Sequence, residues 1–105
     1  MNARQFQQLE STFRWASGVA SCIGVIHLEP RELTRRVGLT FTDGRDDLDH
    51  FQATALELTS GRCFVLVSRP PQGYGIDVYV EAGTESSGAL QELAVALNLA
   101  PGEAA

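Results

Sequence analysis

In the middle of this chain the apolar residues recur at every second position, a period that commits the region to a sheet. Ile76, Val78 and Val80 alternate with Asp77, Tyr79 and Glu81, so a strand there has one dry and one wet face. Leu56 and Leu58 lead into Ser60-Gly61, and Cys63-Phe64-Val65-Leu66-Val67 leads out again. Ser-Gly supplies tight-turn chemistry, so residues 55–67 read as a β-hairpin. Cys63 to Val67 is apolar at every position, as a central strand covered on both faces would be. Val37, Leu39 and Phe41 fall on one side and Gly38, Thr40 and Thr42 on the other, which predicts a further strand. Phe51, Ala53 and Ala55 are out of phase with Leu56 and Leu58. That mismatch requires a bulge or, as the competing reading, a helix over residues 47–58.

The flanks follow a different period. Phe6, Leu9, Phe13 and Ala16 recur at helical spacing after Asn2, predicting an amphipathic helix that ends near Ser17-Gly18, with Trp15 off its apolar stripe. Val19 to Leu28 is apolar on all sides and fits a second helix or a buried strand. Ala20, Ile23 and His27 continue the earlier spacing, which favours helix and gives a helical amino-terminal part over residues 3–28. Glu29-Pro30-Arg31-Glu32 is a turn or a short helical start with Pro30 in first position. Leu90, Leu93, Ala94 and Leu97 mark a closing helix over residues 86–98, started by Ser86 or Ser87 and ended by Asn98 ahead of Pro101; the tail from Gly102 is expected to fray. These elements predict one globular domain over residues 1–105, of α+β class. Its centre is an antiparallel β-meander of about four strands over residues 37–82, with amino- and carboxy-terminal helices packed on it.

Charge is concentrated where the sheet is expected. The net charge is −5, and the run Asp43-Gly44-Arg45-Asp46-Asp47-Leu48-Asp49-His50 places four carboxylates in one polar stretch between apolar segments. Carboxylates this close repel unless water, salt, a cation or a basic surface screens them. An acidic chain is poorly suited to phosphate backbones, which excludes nucleic acid as an expected partner. All eight basic residues are arginine, a bias expected of a GC-rich bacterial genome, and no lysine is present to carry a lysine-dependent mechanism. No stretch approaches the roughly 20 apolar residues of a spanning helix, and the amino terminus lacks the zones of a signal peptide. The expected setting is soluble and cytoplasmic, with no membrane partner. Cys22 and Cys63, in apolar surroundings, read as reduced, small buried hydrophobes there.

The motifs that would carry chemistry fail on inspection. A calcium loop begun at Asp43 would place Arg45 third, Leu48 sixth and Thr54 twelfth, where the pattern requires a ligand, a glycine and a bidentate glutamate. His27-Leu28-Glu29 has the His-x-Glu of zinc deaminases, but the P-C-x-x-C that completes zinc ligation is missing. Cys22, His27, His50 and Cys63 show no short ligand spacing. Gly83 to Gly88 has the glycine spacing of a phosphate loop, but Ala89-Leu90 stands where Lys-Ser/Thr would reach phosphate. No metal and no cofactor are therefore implied.

What remains is a noncatalytic acidic protein-interaction module of the inhibitor, immunity or small-chaperone kind. Asp46, Asp47 and Asp49 would meet a basic partner surface, and Tyr74 in the Gly73-Tyr74-Gly75 turn would anchor it. Two alternatives stand beside it: a small-molecule or divalent-ion binder using the acidic turn 43–50, and a small enzyme using Cys63 or His27. A homodimer seam along the first helix, burying Trp15, is a further expectation.

Overall fold

The computed structural model describes residues 5–10, 12–45, 50–69, 75–83 and 88–105, the side chain of Arg45 excepted. Six strands and two helices follow in the order β1 (Phe6–Gln8), β2 (Ala20–Ile26), α1 (Pro30–Val37), β3 (Thr42–Arg45), β4 (His50–Leu58), β5 (Cys63–Ser68), β6 (Ile76–Glu81) and α2 (Ala89–Ala96). All strands join one antiparallel sheet in the order β1-β4-β5-β6-β2, with β3 pairing β4 beside β1. The expected sheet of about four strands is thus corrected to six, and the amino-terminal helix packed on it is absent among the described residues.

The amino-terminal segment fails as a helix because residues 6–9 find strand partners far away in sequence. Phe6 pairs opposite Leu58 and Gln8 opposite Leu56, and the Leu9 N–H donates to the Ala55 carbonyl (2.8 Å). Phe6 is buried in the core while Gln7 is exposed, so a strand period overrides the local 3.6-residue spacing. The all-apolar stretch 19–28 becomes β2 for the same reason: it pairs with β6 from Ala20↔Glu81 to Ile26↔Ile76, with a register shift between Cys22 and Gly24. The small residues of this stretch do admit close approach. A Cβ on Gly24 would stand 2.6 Å from the Ala105 carbonyl oxygen and 2.7 Å from Leu90.

The strand expected over residues 37–42 is also corrected. Pro30 opens α1 at its first turn, consistent with an imide that has no N–H to lose. The helix runs to Val37 and stops at Gly38, whose φ of 77° is left-handed and whose N–H donates to the Thr34 carbonyl (2.9 Å). Backbone groups that would have formed a ladder are taken by side chains. The Gln8 amide accepts from the Thr40 N–H (3.0 Å) and donates to the Thr40 carbonyl (2.8 Å), while Thr34 donates to the Leu39 carbonyl (2.6 Å). Leu39 still packs inward, fully buried, and the strand begins only at Thr42.

In the hairpin region, β4 pairs with β5 in continuous register from Gln52↔Ser68 to Glu57↔Cys63. No bulge is needed, and residues 50–58 are strand, not helix. The phase mismatch has another cause. Leu56 and Leu58 face the core, while Ala53 and Ala55 face the opposite side, which is itself partly covered. One layer of helix lies on the sheet: Leu33 of α1 and Ala89, Leu93 and, just beyond its end, Leu97 of α2 join Ile26, Leu56, Phe64, Leu66, Ile76, Val78 and Val80 in a single buried cluster.

The carboxy-terminal tail does not fray. Val25 and Ala105 exchange both backbone hydrogen bonds (2.8 and 2.9 Å), and the His27 N–H donates to the Glu103 carbonyl (2.7 Å), so residues 103–105 cover the outer edge of β2. Arg36 grips Glu103 with both terminal nitrogens (2.9 and 3.1 Å), and Glu103 also accepts from the Ala100 N–H (2.7 Å). The end of an edge strand that would otherwise invite pairing is covered by the chain itself.

Candidate functional site

The helix-free face of the sheet carries Cys63 and Tyr79 together with the carboxylates Glu57, Asp77 and Glu81. Antiparallel register puts directly opposed residues on the same face, which orders this face into rows. Glu57, Cys63, Glu81 and Ala20 form one row; Ala55, Val65, Tyr79 and Cys22 the next; Thr42, Ala53, Val67, Asp77 and Val25 the third. Gly44 and Phe51 oppose each other at the end of β3–β4. A Cβ on Gly44 would collide with the Phe51 ring, so the missing side chain lets that ring lie over the strand. The Arg69 guanidinium stands 5.0 Å from the Phe51 centroid, near enough for a cation–π attraction.

Because β1 and β2 occupy opposite edges of the sheet, the chain between them must cross it, and it does so on this face. Phe13 and Trp15 meet edge to face, centroids 5.6 Å apart. Trp15 reaches the row of Cys63 and Glu81, where the Ser17 N–H donates to the Glu81 carboxylate (3.2 Å). Trp15, expected off a helical stripe, thus serves as cover for the sheet. Between the crossing segment and β3–β5 remains a hollow of about 360 Å³, walled by Phe13, Phe51, Ala53, Ala55 and Val65 and rimmed by Glu10, Arg14 and Asp43. Val67, Asp77 and Tyr79 are half-buried beyond the crossing segment.

Cys63 stands between two carboxylates on the same face. Burial, then Glu57, then Glu81 push its thiol pKa up, so the protonated form prevails at neutral pH and the nucleophilic thiolate is suppressed. Burial, then Asp77, likewise raises Tyr79. His27 is exposed and follows the end of β2, its backbone N–H engaged by the tail. Cys22, expected to be buried, is exposed, and both cysteines are free. Among the described residues no three His, Cys, Asp or Glu are grouped to hold a metal ion, and no helix is long and apolar enough to cross a membrane.

Asp46, Asp47, Asp49 and Tyr74 lie outside the described residues. The strand ends that flank them are described and fall at one end of the sheet: Arg45 pairs with His50, Gln52 with Ser68, and Val67 with Asp77. The acidic and the tyrosine-bearing connections therefore leave the sheet from neighbouring strand pairs. Sequence reasoning missed Phe13, Phe51 and Val65 as site residues. For Phe51 the signal was present in the apolar positions out of phase with Leu56 and Leu58, and for Val65 in the run of apolar residues 63–67. Both read as ambiguity until a second covered face is known, and Phe13 followed a helical spacing instead. Comparison with family models, with curated proteins and with solved structures finds no match.

Proposed function

We propose that this chain is a noncatalytic protein-interaction module, of the inhibitor, immunity or small-chaperone kind, that takes a basic partner surface on the helix-free face of its sheet. One observation carries the reading: half-buried Phe51, Val65, Val67 and Tyr79 share that face with Glu57, Asp77 and Glu81, next to the strand ends from which the acidic connection leaves. An apolar centre with a carboxylate surround suits a partner that brings apolar and basic groups together. The raised Cys63 thiol argues against the competing reading of an enzyme with Cys63 as nucleophile.

The test is affinity capture from native extract with three baits: the unchanged chain, Val67→Arg, and the triple variant Asp46→Asn, Asp47→Asn, Asp49→Asn. The reading expects the same partner to be lost from both variants, with binding to the unchanged chain weakening as salt rises from about 0.05 to 0.5 M. Retention of that partner by both variants overturns it.

A further inference from the structure

The carboxy-terminal strap on β2 is joined to the rest of the fold by one tight turn. Helix α2 ends in a Schellman arrangement: the Leu99 N–H donates to the Ala94 carbonyl (2.9 Å), the Asn98 N–H to the Val95 carbonyl (3.1 Å), and Asn98 is left-handed with φ 57°. Ala100-Pro101-Gly102-Glu103 then closes a turn through the Glu103 N–H and the Ala100 carbonyl (3.0 Å), with φ 87° at Gly102. Proline second and a left-handed residue third make this a type II turn. The conformation of Gly102 therefore sends the chain back to its own β2, and an extended Gly102 would carry residues 103–105 away from it.

The strap is held by few contacts, and they are specific. Three main-chain hydrogen bonds to Val25 and His27 and the grip of Arg36 on Glu103 fasten it, while Ala104 rests partly buried against the core. Gly24 admits the close approach of its backbone, since the Ala105 carbonyl oxygen and Leu90 fill the place of a Cβ. Every copy of the chain carries both halves of these contacts, so the tail of a second copy satisfies them equally. Glycine bears the left-handed φ without strain, which keeps the strap on its own chain at low concentration.

Exchange offers a gain that the closed form lacks. Between α2 and the turn lies an open hollow of about 650 Å³ with Leu90, Ala94, Val95, Leu99 and Pro101 in its wall, and Val95 is 57% exposed. With only Pro101 and Gly102 to span from one copy to the other, these apolar walls come together and lose contact with water.

We propose that the tail exchanges between copies: residues 103–105 of each chain lie on the β2 edge of the other, giving a two-fold dimer hinged at Pro101-Gly102. Its seam is the β2 edge, apart from the open face assigned to the basic partner.

The test reverses the ion pair in separate full-length chains. Arg36→Glu and Glu103→Arg each set like charges together, whether the tail is closed or exchanged, whereas an equal mixture restores opposite charges at both edges by exchange alone. Sedimentation and native mass spectrometry at about 0.5 mM chain should find a dimer of one chain of each kind, at least about tenfold more abundant than dimers of either variant by itself. Amide exchange at Val25 and His27 should slow in the mixture and not in the separate variants. Gly102→Ala meets nothing within 4 Å but strains the turn, and should lower the dimer dissociation constant by about tenfold or more. A mixture that stays monomeric while both variants keep slow exchange at Leu66 and Val78 overturns the proposal. So does a mixed dimer in which Val25 and His27 exchange as fast as in the separate variants, because it is joined elsewhere. Should a reversed charge unfold either chain, Gly102→Ala decides: no more dimer than in the unaltered chain overturns the proposal.

Discussion

Cys63 illustrates how a single residue acquires its properties from three strands. Its own strand places it on the helix-free face, β4 brings Glu57 directly opposite, and β6 brings Glu81 from the other side. Burial and two negative charges all favour the neutral thiol, so native Cys63 is expected to react with iodoacetamide more slowly than exposed Cys22 at pH 8. Mass spectrometry of each site checks this, and a Cys63 that alkylates as fast as Cys22 contradicts it. Leu66, fully buried at the centre of the sheet, gives the stability counterpart. Leu66→Ala removes packed atoms from a site that the surrounding strands prevent from collapsing, and urea unfolding should show a loss of about 2–5 kcal/mol.

At the scale of elements, the tail and α1 act together on the edge of β2. Arg36 joins Glu32 of its own helix (3.1 Å) to Glu103 of the tail, and its side-chain hydrogen bonds hold the Glu103 carboxyl below the usual range; Arg35 and then Arg36 do the same for Glu32. A carboxylate pKa lowered by folding contributes stability that is complete above the unfolded value of about 4.3 and is lost as pH falls through the folded value. The tail should therefore loosen in acid before the core does. Arg36→Ala should reproduce this at neutral pH, with amide exchange at Val25 and His27 faster by about tenfold while Leu66 and Val78 keep their protection. Uniform acceleration would show that the tail opens only with the whole fold. Gly24→Val should have a similar effect from the opposite side, since the new side chain takes the space that Ala105 and Leu90 occupy.

For the whole molecule, the sheet has one face closed by helices and one only partly closed by its own crossing segment, and that asymmetry is the basis of the proposed function. Val67→Arg, on the partly closed face and outside the buried core cluster, should leave the thermal midpoint within a few degrees, because the arginine stem can lie along the half-buried face with its head in water, while weakening partner binding by about tenfold or more. Calorimetry and binding measured on the same preparation separate the two effects. A collapse of the midpoint would instead assign Val67 to the core.

The alternation in residues 76–81, the hairpin over 55–67 and the apolar stripe at 89–97 were legible in the sequence because each is a local pattern whose period matches the element it forms. The acidic run was legible as charge, but not its ends, since Asp43, Gly44, Arg45 and His50, expected in a polar turn, belong to β3 and β4. Residues 5–28 were not legible, since their helical spacing is real but the edges of β4 and β6 offer backbone partners that no local window contains. The strand expected at 37–42 gave way for a related reason: Gln8, remote in sequence, supplied the hydrogen bonds of a ladder from a side chain. By itself the sequence determined which stretches are half-buried and where charge collects. Tertiary structure alone decided the pairing of the amino-terminal strands and the path of the chain across the open face. It also decided that Phe13 and Phe51 line one hollow, because these depend on the placement of residues far apart along the chain.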